Sequence, residues 1–177
     1  MLASFDDGKF SKDKCPILGL LTAFWPPEVV RATLHLVKKD PGEVTELLVP
    51  LAEEADVTLL DSITICGLGF IDPSKLRKAI VVSKYVPRIR KAYNVARKIY
   101  GNDRFIKVAE EYLSRVKCVD RGDGGRLCIA PYGLSEKEAW EIVRERTSVG
   151  PLPEDLRLVH HLASAIGKFL TRSPSRA

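Results

Sequence analysis

Five short apolar or alternating segments constrain the fold of this chain more than any other feature. Residues 16–25 (PILGLLTAFW) form a continuous apolar run, which is typical of a buried strand. Residues 29–37 (VVRATLHLV) alternate and are rich in β-branched side chains, which predicts a second strand. The WPPE segment between them predicts a turn, because neither proline can donate a ladder hydrogen bond. Three further strands are predicted at 2–6, 57–60 and 79–83.

Capping residues and helical periodicity mark the segments between and after these strands. Asp40-Pro41-Gly42-Glu43 predicts a helix start, with Asp40 as the N-cap and Glu43 completing a capping box. Ser135 and Glu138 predict the same arrangement for a later helix. Helices are predicted from Asp40 to Ala55, from Asp72 to Lys78, over 88–100, after Asn102, from Ser135 to Arg146 and over 153–170, with a hairpin over 116–130 that turns at 121–125.

The order of these elements predicts an α/β fold. The first three strands are joined by short turns, so they are expected to be antiparallel, whereas the later strands follow helices and are expected to be parallel. A mixed five-stranded sheet flanked by helices is the ribonuclease H-like arrangement, although this order alone also fits other α/β folds.

Length and composition indicate a single domain over residues 1–177, with a frayed tail at about 171–177. No run of about 18 apolar residues and no signal peptide are found, so we predict a cytoplasmic protein without a membrane partner. The four cysteines lack zinc-finger spacing. Three are expected to be core thiols, and a bridge from Cys15 is an open alternative. The absence of Gln and the scarcity of Asn and Met are typical of a thermophile.

Positive charge is concentrated in residues 75–107, which hold 11 Lys or Arg and one acid, Asp103. A local basic block of this kind suits a phosphate backbone, although a solvated helix face would have the same composition. The residues predicted to contact nucleic acid are Lys84, Arg88, Arg90, Lys91, Arg97 and Lys98.

Acidic residues end several of the predicted strands. Asp6 and Asp7 end the first, Asp40 the third and Asp61 the fourth. Ligand sites in open α/β sheets favour strand ends, and carboxylate oxygens are the ligands that Mg²⁺ and Mn²⁺ prefer. Since neighbouring strand residues point to opposite faces, we expect at most one of Asp6 and Asp7 to face the site.

Each candidate also has a structural interpretation. Asp40 fits an N-cap and Asp7-Gly8 fits a turn. Asp61 is harder to explain structurally, because an acid between two apolar runs is costly without a partner. Lys84 ends the fifth strand, where it would either meet a phosphate or be solvated, and His160-His161 would put one imidazole in the core and one at the surface.

Four motifs carry a resemblance to the archaeal endonuclease dU family and, more distantly, to endonuclease V. The family motif G-[IV]-D-D-G-x-F resembles residues 4–10, SFDDGKF, and L-D-G-I-T-x-x-G resembles residues 60–67, LDSITICG. D-G-x-D-A-T is similar to residues 40–45, DPGEVT, and P-E-P-L-R-L-A-H to residues 153–160, PEDLRLVH. Ser4, Pro41 and Ser62 stand where the family has glycine.

The resemblance implies a ribonuclease H-like, endonuclease V-like fold and metal-dependent cleavage of DNA near deaminated bases, especially deoxyuridine. It implies Asp6 and Asp61 as catalytic ligands of Mg²⁺ or Mn²⁺, with Asp40 or Glu43 as the third acid. Lys84 resembles the lysine after the fifth strand of endonuclease V. The partner would be DNA with a deaminated base, single strands included; no protein partner or oligomeric state is predicted.

Two other functions fit the same sequence. One is a non-catalytic nucleic-acid-binding module of ribonuclease H-like fold, which would bind with a salt-dependent affinity but without turnover. The other is an enzyme that acts on a free nucleotide or another phosphorylated metabolite, which would have a small closed pocket.

Overall fold

The computed structural model describes residues 1–11, 13–84, 89–101, 103–120 and 125–171, and the side chains of all of these except residues 89 and 90. Its central element is a mixed sheet in the order β3-β2-β1-β4-β7-β9-β8. These strands are β1 (Leu2–Asp7), β2 (Cys15–Thr22), β3 (Val29–Val37), β4 (Val57–Leu60), β7 (Ala79–Ser83), β8 (Lys117–Asp120) and β9 (Arg126–Tyr132), and β5 (Thr64–Ile65) and β6 (Gly69–Phe70) form a separate two-stranded ribbon.

The main sheet therefore has seven strands, and the prediction of five is wrong. The predicted hairpin joins the sheet because β9 pairs with β7, from Ala79 opposite Tyr132 to Ser83 opposite Cys128. This pairing is antiparallel, whereas β1, β4 and β7 are mutually parallel as predicted. The first three strands are antiparallel, also as predicted.

Helices cover both faces of the sheet. They are α1 (Thr45–Ala52), α2 (Tyr93–Tyr100), α3 (Arg104–Arg115), α4 (Glu136–Glu145) and α5 (Glu154–Thr171). Phe5 of β1 belongs to a core with Leu48 of α1 and Phe105 of α3. Leu59 of β4 belongs to a second core with Val143 of α4 and Val159 of α5. Alternating strand side chains thus pack into two separate cores, one on each face of the sheet. Polar groups can then be accommodated at the ends of the strands.

One of the two predicted capping boxes is present. Ser135 caps α4 through a hydrogen bond from the Glu138 amide, and the Glu138 side chain accepts from the Ser135 amide. The predicted helix start at Asp40 is wrong, because α1 begins at Thr45 with Val44 as its N-cap. Asp40 instead has a left-handed backbone (φ 53°), and its carboxylate accepts a hydrogen bond from the Leu68 amide at 2.7 Å. The side chain that was expected to cap the helix therefore forms a hydrogen bond with the β5–β6 turn.

The cysteines are paired, so the prediction of core thiols is wrong. Cys15 is bonded to Cys66, and Cys118 to Cys128. The first pair is 51 residues apart in sequence. Its partners meet only because the start of β2 lies beside the β5–β6 turn, which sequence spacing does not reveal.

The described helices include none with the length and apolarity needed to cross a membrane. The tail beyond Thr171 and the hairpin turn at 121–124 lie outside the described residues.

Candidate functional site at the ends of strands β1 and β4

The register of two parallel strands brings Asp6 and Asp61 together. The β1–β4 ladder ends with Phe5 opposite Leu60, so Asp6 and Asp61 are the next residues along these two segments. Both strands are buried up to this point, and the acids stand where the apolar runs stop. The two strand-end acids that the sequence nominated therefore lie at one edge of the sheet.

Asp6 is buried and held by a histidine of α5. Its Oδ2 lies 2.6 Å from Nδ1 of His160, and its Oδ1 accepts the Asp7 amide at 2.7 Å. Burial raises the pKa of Asp6, and the hydrogen bond with His160 opposes that rise. The imidazole itself is exposed. Hence His160 fixes the orientation of a buried carboxylate from the solvent side.

Asp7 adds a third carboxylate to the site. Alternation turns its side chain to the face opposite His160, where it accepts a hydrogen bond from the Cys66 amide. Burial raises the pKa of Asp7 to about 6, and the neighbouring charge of Asp6 adds to the rise. The two residues do point to opposite faces, yet both charges act on Asp61. These opposite orientations agree with the expectation that at most one of them faces a given side of the sheet.

Asp61, the acid that follows β4, also has a cost of ionisation. Burial, followed by the charges of Asp6 and Asp7, raises the pKa of Asp61 to about 7. The charge interaction with His160, followed by a hydrogen bond from its own backbone amide, opposes this rise. Three carboxylates in this arrangement repel one another, and a cation would relieve that repulsion.

A pocket of about 600 Å³ opens beside Asp61. One wall consists of the residues after β4, a second of the end of β7, and a third of α5 with the segment before it. The lining residues are Asp61, Ser62, Thr64, Val82, Ser83, Lys84, Pro151, Leu152, Leu156, Arg157, His160 and His161. The exposed side chain of Lys84 therefore shares a pocket with Asp61, and apolar and polar groups meet there.

The two predicted third ligands make other contacts. Asp40 accepts the Leu68 amide, and Glu43 is bound by Lys75 at 2.7 Å and Arg104 at 3.3 Å. Burial works in the opposite direction, but the hydrogen bonds from these two cations lower the pKa of Glu43 overall. The described contacts do not join either acid to Asp6 or Asp61. Their assignment as metal ligands stays a prediction, and Asp7 is the acid that the structure brings to the pair.

The predicted nucleic-acid contacts have different positions. Lys91, Arg97 and Lys98 are exposed, and Arg97 is paired with Asp103 at 2.9 Å. Arg88 and the side chain of Arg90 lie outside the described residues. The role of this basic block stays a prediction.

His160 is the site residue that the sequence did not predict. Strand alternation leaves Asp6 and Asp7 as alternatives, and the resemblance to the family favours Asp6. The signal for His160 was its place at the end of the late PEDLRLVH motif, one residue after Val159, which is buried against the sheet. Since α5 packs along β1 and β2, that position faces the end of β1.

Comparisons with known proteins agree with this architecture. The family model for endonuclease dU matches residues 2–167. A UPF0215 protein of Thermococcus gammatolerans is 29% identical over 183 residues, which cover 93% of this chain and 91% of the relative. A UPF0215 protein of Sulfurisphaera tokodaii is 26% identical, with 96% of each chain covered.

Solved structures show the same fold. A protein of unknown function from Archaeoglobus fulgidus superposes with a TM-score of 0.73 at 21% identity, covering 93% of this chain and 96% of that one. Human ENDOV gives 0.63 at 12% identity, covering 97% and 85%. Ciona intestinalis endonuclease V, bound to a 23mer DNA containing an inosine followed by a ribo-adenosine, gives 0.60 at 14% identity, covering 96% and 86%. The predicted ribonuclease H-like, endonuclease V-like fold is confirmed.

Proposed function

The chain belongs to the endonuclease dU family of nucleases, and we propose that it is a metal-dependent endonuclease that hydrolyses DNA near deaminated bases such as deoxyuridine. The observation that carries this proposal is the convergence of Asp6, Asp7 and Asp61 at one edge of the sheet, beside a pocket that also contains Lys84. Buried acids with raised pKa values in a cleft are typical of functional sites.

The donor set fits a hard divalent cation. The three carboxylates offer oxygen ligands, which Mg²⁺ and Mn²⁺ prefer, and their mutual repulsion is the cost that such a cation would remove. Asp6 and Asp61 would be its ligands, and Asp7 is a further acid that is electrostatically linked to both. When bound, the metal would polarise a phosphoryl oxygen and lower the pKa of an attacking water.

The other residues of the pocket would position the substrate. The Lys84 ammonium would neutralise a phosphate oxygen, and His160 would hold the Asp6 carboxylate in one orientation. A pocket of about 600 Å³ lies within the usual size range for small ligands. Leu152 and Leu156 provide apolar contacts, and Ser62 and Thr64 provide hydroxyls, as an extruded base would need.

A cleavage assay tests the proposal directly. Labelled single-stranded and duplex oligonucleotides, each with one uracil, inosine or abasic site, are compared with an undamaged strand of the same sequence. We expect Mg²⁺- or Mn²⁺-dependent cleavage near the deaminated base and none in EDTA. Equal cleavage of the undamaged strand would contradict the specificity, and binding without turnover would favour the non-catalytic module. Turnover of free nucleotides alone would favour the metabolite enzyme.

The raised pKa values also predict how stability depends on pH. An aspartate has a pKa near 3.9 when unfolded, so between about pH 4 and 7 Asp7 and Asp61 hold more protons in the folded chain than in the unfolded one. Without metal, stability should therefore fall as the pH rises through this window. A loss on the order of 2 kcal/mol would lower Tm by about 4–8 °C. Calorimetry in EDTA at pH 5 and pH 8 measures it.

Mn²⁺ should reverse this loss, because it binds the ionised carboxylates and raises Tm more at pH 8 than at pH 5. Comparing the Tm of the parent with that of Asp61→Asn separates the effect of this site from the effects of other titrating groups. The variant should be more stable than the parent at pH 8 in EDTA and gain less from Mn²⁺. A Mn²⁺ shift of the same size in Asp61→Asn would contradict the assignment.

A further inference from the structure

A buried disulfide lies next to the acidic site. Cys15 begins β2, Cys66 lies in the β5–β6 turn, and both are fully buried with their Cα atoms 5.9 Å apart. Oδ2 of Asp7 lies 3.8 Å from Sγ of Cys15 and accepts the Cys66 amide. One carboxylate oxygen and two sulfurs therefore lie within 4.8 Å of one another.

The chemistry of this cluster depends on its oxidation state. In the disulfide, neither sulfur is a thiolate, which is the form that binds metals. A water-soluble phosphine would break the S–S bond and become a phosphine oxide, with water supplying its oxygen and the protons of two thiols. The products, Cys15 and Cys66, would then face the Asp7 carboxylate. Two thiolates and one carboxylate are ligands that Zn²⁺ accepts in tetrahedral sites, at about 2.3 Å and 2.0–2.2 Å.

We propose that reduction of the Cys15–Cys66 disulfide creates a binding site for Zn²⁺ or a similar soft divalent cation, formed by Cys15, Cys66 and Asp7. Binding releases the two thiol protons, and water takes the fourth position, as in other sites with three protein ligands. Sulfur ligands distinguish this site from the oxygen-only pair Asp6 and Asp61, which suits Mg²⁺ or Mn²⁺. The site does not depend on the proposed nuclease activity, because its ligands define it.

The backbone around the cluster is held by bonds other than the disulfide. The Cys66 carbonyl accepts the Asp40 amide at 2.9 Å, and the Leu68 amide donates to the Asp40 carboxylate at 2.7 Å. Cys15 lies in the β2–β3 ladder opposite Val37. The three ligands therefore stay close together after the S–S bond opens, so the cost of organising the site is small.

Co²⁺ is the probe, because thiolate ligation gives it a charge-transfer band in the near ultraviolet and tetrahedral geometry gives strong visible bands. The full chain, reduced with phosphine and shown to be folded by circular dichroism, should bind one equivalent of Co²⁺ with both signals, and Zn²⁺ should displace it. The oxidised chain should show neither signal. Absence of the charge-transfer band in the reduced, folded chain would overturn the proposal.

Three variants locate the ligands. Cys15→Ser with Cys66→Ser should lose the charge-transfer band, and Asp7→Asn should keep a band but bind Co²⁺ at least about tenfold more weakly. The matched control is Cys118→Ser with Cys128→Ser, which removes the other disulfide, lies on β8 and β9, and should leave Co²⁺ binding unchanged. A band that survives when both Cys15 and Cys66 are Ser would place the metal elsewhere.

Thiol protection gives a second measurement that needs no variant. In the reduced parent, Zn²⁺ should slow the alkylation of two of the four thiols, and peptide mass spectrometry should identify them as Cys15 and Cys66. Protection of Cys118 and Cys128 instead, or of no thiol, would contradict the proposed site.

Discussion

Replacing Asp61 by Asn is expected to lower kcat/KM for a deoxyuridine-containing strand by about 10²–10³-fold or more. Burial and the charges of Asp6 and Asp7 all disfavour the ionised form of Asp61. A bound cation would therefore stabilise the ionised Asp61 carboxylate. The amide of Asn has nearly the same shape as the carboxylate but no charge, so the affinity of the site for a divalent ion should fall. Because the substitution also removes a half-buried charge that is repelled by its neighbours, the fold should be kept or stabilised.

The measurement combines single-turnover cleavage in Mg²⁺ or Mn²⁺ with circular dichroism. Asp56→Asn is the matched control, since Asp56 precedes the other end of the same strand and its side chain is exposed, where it pairs with the N-terminus. Asp56→Asn should cleave like the parent. If Asp61→Asn cleaves as fast as the parent, the acidic cluster does not bind the catalytic metal.

Local patterns nominate the strand-end acids Asp6 or Asp7, Asp40 and Asp61, and the resemblance to the family narrows them to the pair Asp6 and Asp61. Both residues end an apolar run, and parallel strands bring such ends to one edge of a sheet. His160 could not be placed in the same way, because its contact with Asp6 spans 154 residues and depends on how α5 crosses the sheet. The same holds for the disulfide partner of Cys15, which only the three-dimensional neighbourhood of the β5–β6 turn reveals.

Asp40 shows why local rules mislead in this chain. Its side chain fits an N-cap by sequence, but a carboxylate has several possible amide partners, and the Leu68 amide in the β5–β6 turn is the one it meets. Ser135 keeps its local partner, the Glu138 amide at 3.2 Å, and its capping box is formed. The N-cap prediction for Asp40 is therefore wrong because a tertiary hydrogen bond replaces the local one, and α1 does not begin at Asp40.

The second large effect is expected in stability, at a buried ion pair on the N-terminal side of α5. Asp155 is 2% exposed and accepts hydrogen bonds from two nitrogens of Arg146, each at 2.9 Å, and from the Thr22 hydroxyl at 2.6 Å. Arg146 also donates to the Phe24 carbonyl at 2.8 Å. This network joins the segment after α4 and the start of α5 to the end of β2. It thereby anchors the helix that brings His160 to Asp6.

Asp155→Ala should reduce the free energy of unfolding by about 3–5 kcal/mol, because it leaves the Arg146 guanidinium largely buried without its carboxylate. Urea unfolding at pH 7 measures this change. Asp120→Ala is the matched control: it removes the partner of Arg126 in an exposed pair, which should cost less than about 1 kcal/mol. Replacing both Arg146 and Asp155 by apolar residues should recover much of the loss, since no charge is then left unpaired. An Asp155→Ala variant as stable as the parent would contradict the role of this network in anchoring α5, and the position of His160 would then need another cause.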